Sequence, residues 1–508
     1  ALGAAGVPHG QSQSLGTPRR LIVHVEGLAE RQPDVSKEMR GPSIAAAYDA
    51  EGNPTKALEG FCRGQGADPS QVRRDGEYVW VDKVVEGKAT AEILATLLPE
   101  AIKGLNFEKA MRWGSSRMRF ARPIRWLLAS LGGEVVPFEI EGVASDLKSR
   151  GHRFYAPEEF TARTFDELID GLIARKVEPD PAERETRIRE GATINCSGQP
   201  DLTDALVQEN VYLTEWPLAI EGSFKPEFLD LPESVLVIAM AKHEKFFPVR
   251  DDAARLTNKF ISIRNAGEDE TVRNGNAWVL NARFNDAKFF FDEDARLKLS
   301  DFLEKTSGIV FQEKLGTVRQ RADRLAELSA EVMRMTGADE HEIGSAREAG
   351  RYAKADLSTG LVGELPALQG LIGGEYAKRE GLPEEVCCGI ASHYELPRNQ
   401  RPSSAGQRIG IAVLIADQLD KLAGYLGLGL VPSGSSDPYG LRRAATHVIE
   451  AVWHWRDGSI KPFQIFLKAI RLYENAGIKL NDPEGASKDE DLSAAESAAL
   501  RSLAEIFR

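Results

Sequence analysis

Leu325-Ala-Glu-Leu-Ser-Ala-Glu-Val-Met-Arg-Met335 is the stretch that decides the fold class. Its apolar residues Leu325, Leu328, Val332 and Met335 recur at steps of three and four, the spacing of one face of an α-helix. Such stripes continue downstream, broken by turn clusters at Pro397 to Gly406 and Val431 to Gly440, and together they predict an all-α region. Upstream, Asn276 to Leu328 is rich in charges and helix formers and has no proline. Earlier still the period changes. Leu21-Ile-Val-His-Val25, Tyr78-Val-Trp-Val-Asp-Lys-Val84 and Val135-Val-Pro-Phe-Glu-Ile140 read as strands, with Pro137 marking an edge, and strand and helix patterns recur through Leu236-Val-Ile-Ala-Met240 and Phe260-Ile-Ser-Ile-Arg264. Ala91 to Leu105 reads as an intervening helix. The expectation is a multidomain α+β chain. Mixed α/β subdomains fill residues 1–290, an all-α domain fills 291–480, and 481–508 is a linker leading into further helix.

The chain has 508 residues, several times a typical domain. Hydrophobic residues make up 42% and charged residues 28%, the composition of a globular protein and not of a disordered or disulfide-built one. Against 64 Lys and Arg stand 77 Asp and Glu, a net charge of −13, so any nucleic acid must be held by a local basic patch. Cys62, Cys196, Cys387 and Cys388 form no Cys-x-x-Cys, which argues against structural zinc and for thiols in a reducing cytoplasm, with an organelle left open. No apolar run approaches a membrane span; Ile411 to Ala416, for example, is six residues and ends on Asp417. The chain opens on Ala1 without a leader, so a native start outside this sequence is expected.

No phosphate-binding Gly-x-x-x-x-Gly-Lys loop, dinucleotide fingerprint or Gly-x-Ser-x-Gly elbow occurs. The most informative segment is Lys103 to Arg125. Lys103, Lys109, Arg112, Arg117, Arg119, Arg122 and Arg125 stand against the single acid Glu108, interleaved with Phe107, Trp113 and Phe120 and followed by Trp126. Guanidinium planes and aromatic faces are the groups that pair phosphates and stack bases. The competing reading is an ordinary surface whose aromatics serve the core and whose arginines pair with acids. Composition alone favours that second reading. Arg19 and Arg20, in Thr17-Pro-Arg-Arg20, form a smaller basic feature.

A second constellation lies in the helical half: Lys354-Ala-Asp356, His393-Tyr-Glu395 and Ala416-Asp-Gln-Leu-Asp420. The order matches the plan of HD-type metal phosphohydrolases, but Ala355 stands where the doublet needs histidine. Asp356, His393 and Asp417 are too few for a working metal cage, so these are read as degenerate HD-like positions with no metal and no catalytic residue. His243 is read as an ordinary surface or core histidine, and the run Gly360, Gly363, Gly370, Gly373, Gly374 as room for close helix approach.

Read together, several stretches resemble the β subunit of bacterial-type glycyl-tRNA synthetase, the form with separate α and β chains. They are Thr17-Pro-Arg-Arg-Leu21, Arg40-Gly-Pro42, Lys109-Ala-Met-Arg-Trp-Gly114, Phe120-Ala-Arg-Pro-Ile124, Arg150-Gly-His-Arg-Phe154 and Val279 to Phe291. Phe311-Gln-Glu-Lys-Leu-Gly316, Leu368-Gln-Gly370 with Gly374-Glu-Tyr-Ala377, and Asp437-Pro-Tyr-Gly-Leu-Arg-Arg443 continue the series in family order. The resemblance implies a ligase subunit that recognises tRNA(Gly) without its own catalytic residues. It further implies an α subunit that uses ATP and Mg2+, an α2β2 assembly, and an HD-like helical domain. It shifts the basic-aromatic segment towards tRNA contact, with Arg19, Arg20, Lys109, Arg112, Trp113, Arg117, Arg122 and Arg125 as the candidates. The family's usual opening turn and its C-terminal anticodon-binding domain are not found in these residues. The alternatives are a metal-dependent phosphohydrolase and a purely architectural RNA-binding subunit.

Overall fold

The computed structural model describes residues 1–396, 402–433, 436–455, 458–480, 496, 499 and 501–503. Its contacts divide the chain into two compact units. One comprises Ala1–Gly191, Thr203–Ala219 and Ile263–Glu268; the other comprises Ala192–Leu202, Ile220–Ser262 and Asp269–Arg508. The architecture is multidomain and mixed α/β, with many helices and several small sheets. Residues 220–262, assigned from sequence to the N-terminal region, pack within the second unit. The linker expected over 481–508 lies almost wholly outside the described residues.

The first unit is built from small sheets with separate cores. Ser12–Thr17 and Arg20–Val25 form an antiparallel hairpin in which Thr17 pairs with Arg20. Tyr78–Val85 is the central strand of a three-stranded antiparallel sheet, flanked by Val35–Ser43 and Arg73–Asp75. Its alternation puts Val79 against Leu58 and Cys62 of the Lys56–Gln65 helix. Thr90–Lys103 is helical, as its apolar spacing predicts. The Val135–Ile140 strand is replaced by two short ones, Glu134–Val135 and Glu139–Ile140, because Pro137 between them cannot donate to a ladder.

In the second unit, Gln199–Pro200, Phe247–Arg250 and Leu256–Arg264 follow one another in an antiparallel sheet. Of the two stretches where strand and helix patterns recur, Phe260–Arg264 lies in a strand, whereas Leu236–Met240 is helical: Glu233–Ile238 is a helix that runs into a π-turn over Ala239–Glu244. Short buried apolar runs carry no period that separates strand from helix. Beyond it, Asp269–Asp294 is a 26-residue helix. Among the described residues after 291, the strands are those of a small hairpin, Val310–Gln312 with Gly316–Thr317, and the rest of the regular structure is helical.

The helix Ala405–Gly427 forms the axis of the helical core. It is apolar almost all round, the mark of a helix with no solvent face, and its N-terminus is capped by the Ser404 hydroxyl, which accepts from Gln407 N at 3.2 Å. The helices Val318–Met335, Glu340–Tyr352, Glu384–Ser392, Leu441–Trp455 and Pro462–Asn475 pack against it. Two of the glycines read as allowing close approach do so between the Leu371–Arg379 and Glu384–Ser392 helices. A Cβ on Gly374 would lie 2.8 Å from both Ala391 Cβ and Cys387 O, and one on Gly373 would lie 3.0 Å from Ile390. Gly374→Ala is therefore expected to force the helices apart and cost about 1–3 kcal/mol, the usual penalty of overpacking. A thermal midpoint within a degree of the parent would refute that packing argument.

Candidate nucleic-acid interface and a buried ion cluster

The basic-aromatic segment leaves the Thr90–Lys103 helix and continues mostly as loop. Met111 and Phe120 close it by reciprocal backbone hydrogen bonds, Met111 N to Phe120 O at 2.9 Å and Phe120 N to Met111 O at 3.2 Å. A turn from Trp113 to Ser116 shapes the tip, through Ser116 N donating to Trp113 O at 3.0 Å. Phe107 packs edge-on against Phe120 with ring centroids 4.8 Å apart. The half-buried aromatics thus hold the loop in shape, and the cations face solvent. Lys103, Lys109, Arg112, Arg117, Arg119, Arg122 and Arg125 are all exposed. None has an ion pair among the described residues, and Arg122 donates only to the carbonyl of Ala121, at 2.9 Å. Pairing with internal acids, the mundane explanation of such a segment, does not occur among the described residues.

Arg19 and Arg20 part company. Arg19 is exposed at the hairpin turn, where its amide donates to Thr17 Oγ1. Arg20 is buried, with Nη1 3.3 Å from Glu215 Oε1, and the Thr17 hydroxyl donates to the same oxygen at 2.6 Å. Burial pushes the Arg20 pKa down and Glu215 opposes that shift. Arg20 is thus a structural ion and offers a phosphate nothing. Arg184, fully buried, donates to the carbonyls of Val211, Glu178 and Gly16 at 2.8, 2.7 and 2.6 Å and locks the same hairpin. Trp126 lies between the Arg20 and Arg150 guanidiniums, 5.7 and 6.0 Å from its ring.

In the helical unit, His393 and Asp417 do converge, and a cation already stands between them. Lys354 Nζ lies 2.9 Å from His393 Nε2 and 3.1 Å from Asp417 Oδ2. His393 Nδ1 is 2.6 Å from the Ile390 carbonyl, which assigns the proton to Nδ1 and leaves Nε2 to accept from the lysine. Burial first, and then Lys354, push the His393 pKa down to about 3, so the ring is neutral. Arg321 and Lys354 hold the Asp417 carboxyl well below its ordinary range despite burial. Arg321 bridges Asp417 at 2.9 Å and Asp420 at 3.2 Å, and Arg324 binds Asp420 at 2.6 Å. Asp356 is not part of this set. Its Oδ2 accepts from Gly370 N at 2.6 Å, and burial raises its pKa to about 6.

Three cations thus neutralise two aspartates in a space where a metal would need ligands with no competing positive charge. Among the described residues no group of three or more His, Cys, Asp or Glu side chains could hold a metal ion. Sequence reasoning singled out the acids but missed Arg321, Arg324 and Tyr473. The signal was present: Arg324 immediately precedes the apolar stripe that begins at Leu325, so a charge falls on or beside the buried face.

The comparisons with known proteins place the chain among the aminoacyl-tRNA ligases, as one subunit of such an enzyme. Residues 1–498 match the family described as glycyl-tRNA synthetase beta subunit, and the chain belongs to that family. It is 40% identical over 476 residues to the glycine–tRNA ligase beta subunit of Citrifermentans bemidjiense, covering 92% of this chain and 68% of that one. To the beta subunit of Geobacter metallireducens it is 41% identical over 452 residues, covering 87% and 65%. That of Desulfitobacterium hafniense is 40% identical over 454 residues, covering 86% and 65%. The chain therefore spans about two thirds of these relatives' length. A beta subunit of this synthetase implies an alpha partner and a tRNA substrate. Among the described residues, no helix is long and apolar enough to cross a membrane.

Proposed function

We propose that this chain supplies tRNA recognition and assembly for the ATP-dependent attachment of glycine to tRNA(Gly). On this reading the alpha subunit brings the catalytic core with ATP and Mg2+, the two chains form an α2β2 enzyme in the cytoplasm, and this chain contributes no catalytic residue. The observation that carries it is the Lys103–Arg125 segment: seven exposed cations with no acid partner among the described residues, Lys103 at the end of its helix and the other six beyond it, where Phe107 and Phe120 pack together. In a chain of net charge −13 such a local reversal is an electrostatic footprint for a polyanion. The helical unit is read as a degenerate HD-like domain in which the Lys354 ammonium takes the metal's place. The phosphohydrolase alternative is not favoured, because that ammonium fills the space between His393 and Asp417.

The test is tRNA(Gly) binding by the Arg112→Gln/Arg117→Gln double variant across a salt series. Each phosphate that goes unpaired should lower the log–log salt slope by roughly 0.7–0.9. Trp113→Ala should weaken binding with little change of slope if the indole stacks on a base. Both arginines are exposed and have no ion pair among the described residues, so the double variant should melt like the parent. An unchanged affinity and slope in that variant would move the tRNA surface elsewhere.

A further inference from the structure

The turn between the Ala405–Gly427 and Leu441–Trp455 helices gathers cations that the surrounding acids do not fully neutralise. Lys421 is half-buried and Arg443 exposed, and neither has an ion pair among the described residues. Both converge on Gly440, which holds a φ of +62°. A Cβ added there would lie 3.4 Å from Arg443 Nη2 and 3.7 Å from Lys421 Nζ, so the two donors flank one point that the missing side chain leaves open. Of the two acids that act on Lys421, Asp417 is held by Arg321 and Lys354, and the other is Asp437. Its oxygens accept from the amides of Leu441 and Arg442 at 2.8 and 3.0 Å, which ties it to capping the helix. Arg321, the next cation, is bound by Asp417 and Asp420. Burial, then Arg321 and Arg443, push the Lys421 pKa down, against Asp417 and Asp437, which push it up. Like charges are held together here at a cost that an anion would relieve. Beside the opening, exposed Tyr439 packs against Tyr425 with ring centroids 4.7 Å apart and planes tilted by 44°.

We propose that Lys421 and Arg443 form an oxyanion site in front of Gly440 that takes a phosphate group, with the Tyr439 ring placed to receive the sugar or base attached to it. The Arg443 fork matches two phosphate oxygens and the Lys421 ammonium a third. The phosphate belongs either to an RNA backbone, in which case the site rests on the tRNA reading above, or to a small phosphate. Two arms separate these sources. In the first, the Lys421→Gln/Arg443→Gln chain is titrated with tRNA(Gly) across a salt series. Removing both cations lowers the log–log slope by roughly 1.4–1.8, whereas Lys421→Arg keeps it. In the second, inorganic phosphate is followed by 31P line broadening, which the double variant abolishes. A changed slope supports the RNA source, and abolished broadening with an unchanged slope supports the small-anion source. Neither effect in a variant that melts like the parent overturns the site. Should the double variant fail to fold, the single Arg443→Gln, at an exposed position, is expected to show half the slope change. If tRNA does not bind the chain at all, the tRNA reading fails while the phosphate arm still tests this site.

Discussion

Asp420→Ala is expected to destabilise the helical unit by about 3–5 kcal/mol, the range for stripping one partner from a buried ion network. The Asp420 side chain is fully buried. It meets Arg324 Nε at 2.6 Å, Arg324 Nη2 at 3.3 Å and Arg321 Nε at 3.2 Å, and it accepts from Tyr473 OH at 3.1 Å. Alanine would leave the Arg324 guanidinium with Tyr473 alone, its hydroxyl at 3.0 Å and its ring 3.8 Å from Cζ. Neither carries a compensating charge. Arg321 would keep Asp417. The attraction within such a network does little more than offset desolvation of its members, so the large effect arises from the orphaned cation. It follows that Asp420→Ala/Arg324→Met should recover much of the stability, since a well-packed apolar pair carries no charge to strand. Urea midpoints of the parent, the single and the double variant, read by helical circular dichroism, test both steps. A single-variant effect below about 1 kcal/mol would mean that water reaches Arg324 and that the network is not a buried one.

How much of this was legible in the sequence follows from which forces act locally. Tyr78–Val85 and Thr90–Lys103 were readable because alternation and helical spacing are set by one neighbouring surface. Glu233–Ile238 was not, because a short apolar run with Val235 and Leu236 buried has no period that separates strand from helix, and the element is decided by what surrounds it. The same limit governs the sites. The density of cations in Lys103–Arg125 is visible in one dimension, but their lack of partners is a statement about acids far along the chain. Arg20 and Arg19 are adjacent and chemically identical in sequence, and only Glu215, 195 positions on, makes one a structural ion. Likewise, Ala355 is visible in one dimension, whereas the seat of the Lys354 ammonium between His393 and Asp417 needed the meeting of three separate elements.

That meeting predicts an acid response of defined sign. His393 is neutral in the native state, with its pKa held at about 3 by burial and by Lys354, whereas an unfolded histidine titrates near ~6.5. As the pH falls below ~6.5 the unfolded chain takes a proton that the native chain refuses. Stability then drops by up to ~1.4 kcal/mol per pH unit until the native ring titrates. Asp356 acts the other way. Burial raises its pKa to about 6, so from there down to the unfolded value of ~3.9 the native state binds the extra proton and gains stability. Between about pH 6 and 4 these two slopes oppose each other, and the parent's dependence in that window hides both. His393→Gln keeps an acceptor for Lys354 and a donor for Ile390 while removing the titration. Relative to the parent, it should gain stability on acidification from about pH 6.5 to 4. Asp356→Asn keeps an acceptor for Gly370 N and should lose stability, relative to the parent, between about pH 6 and 4. Every other titrating group is common to all three proteins, so the differences between their urea midpoints isolate the two sites. Parallel stability profiles for the parent and His393→Gln over that range would show that the ring is protonated in the native state, and the Lys354 ammonium could not then be donating to it.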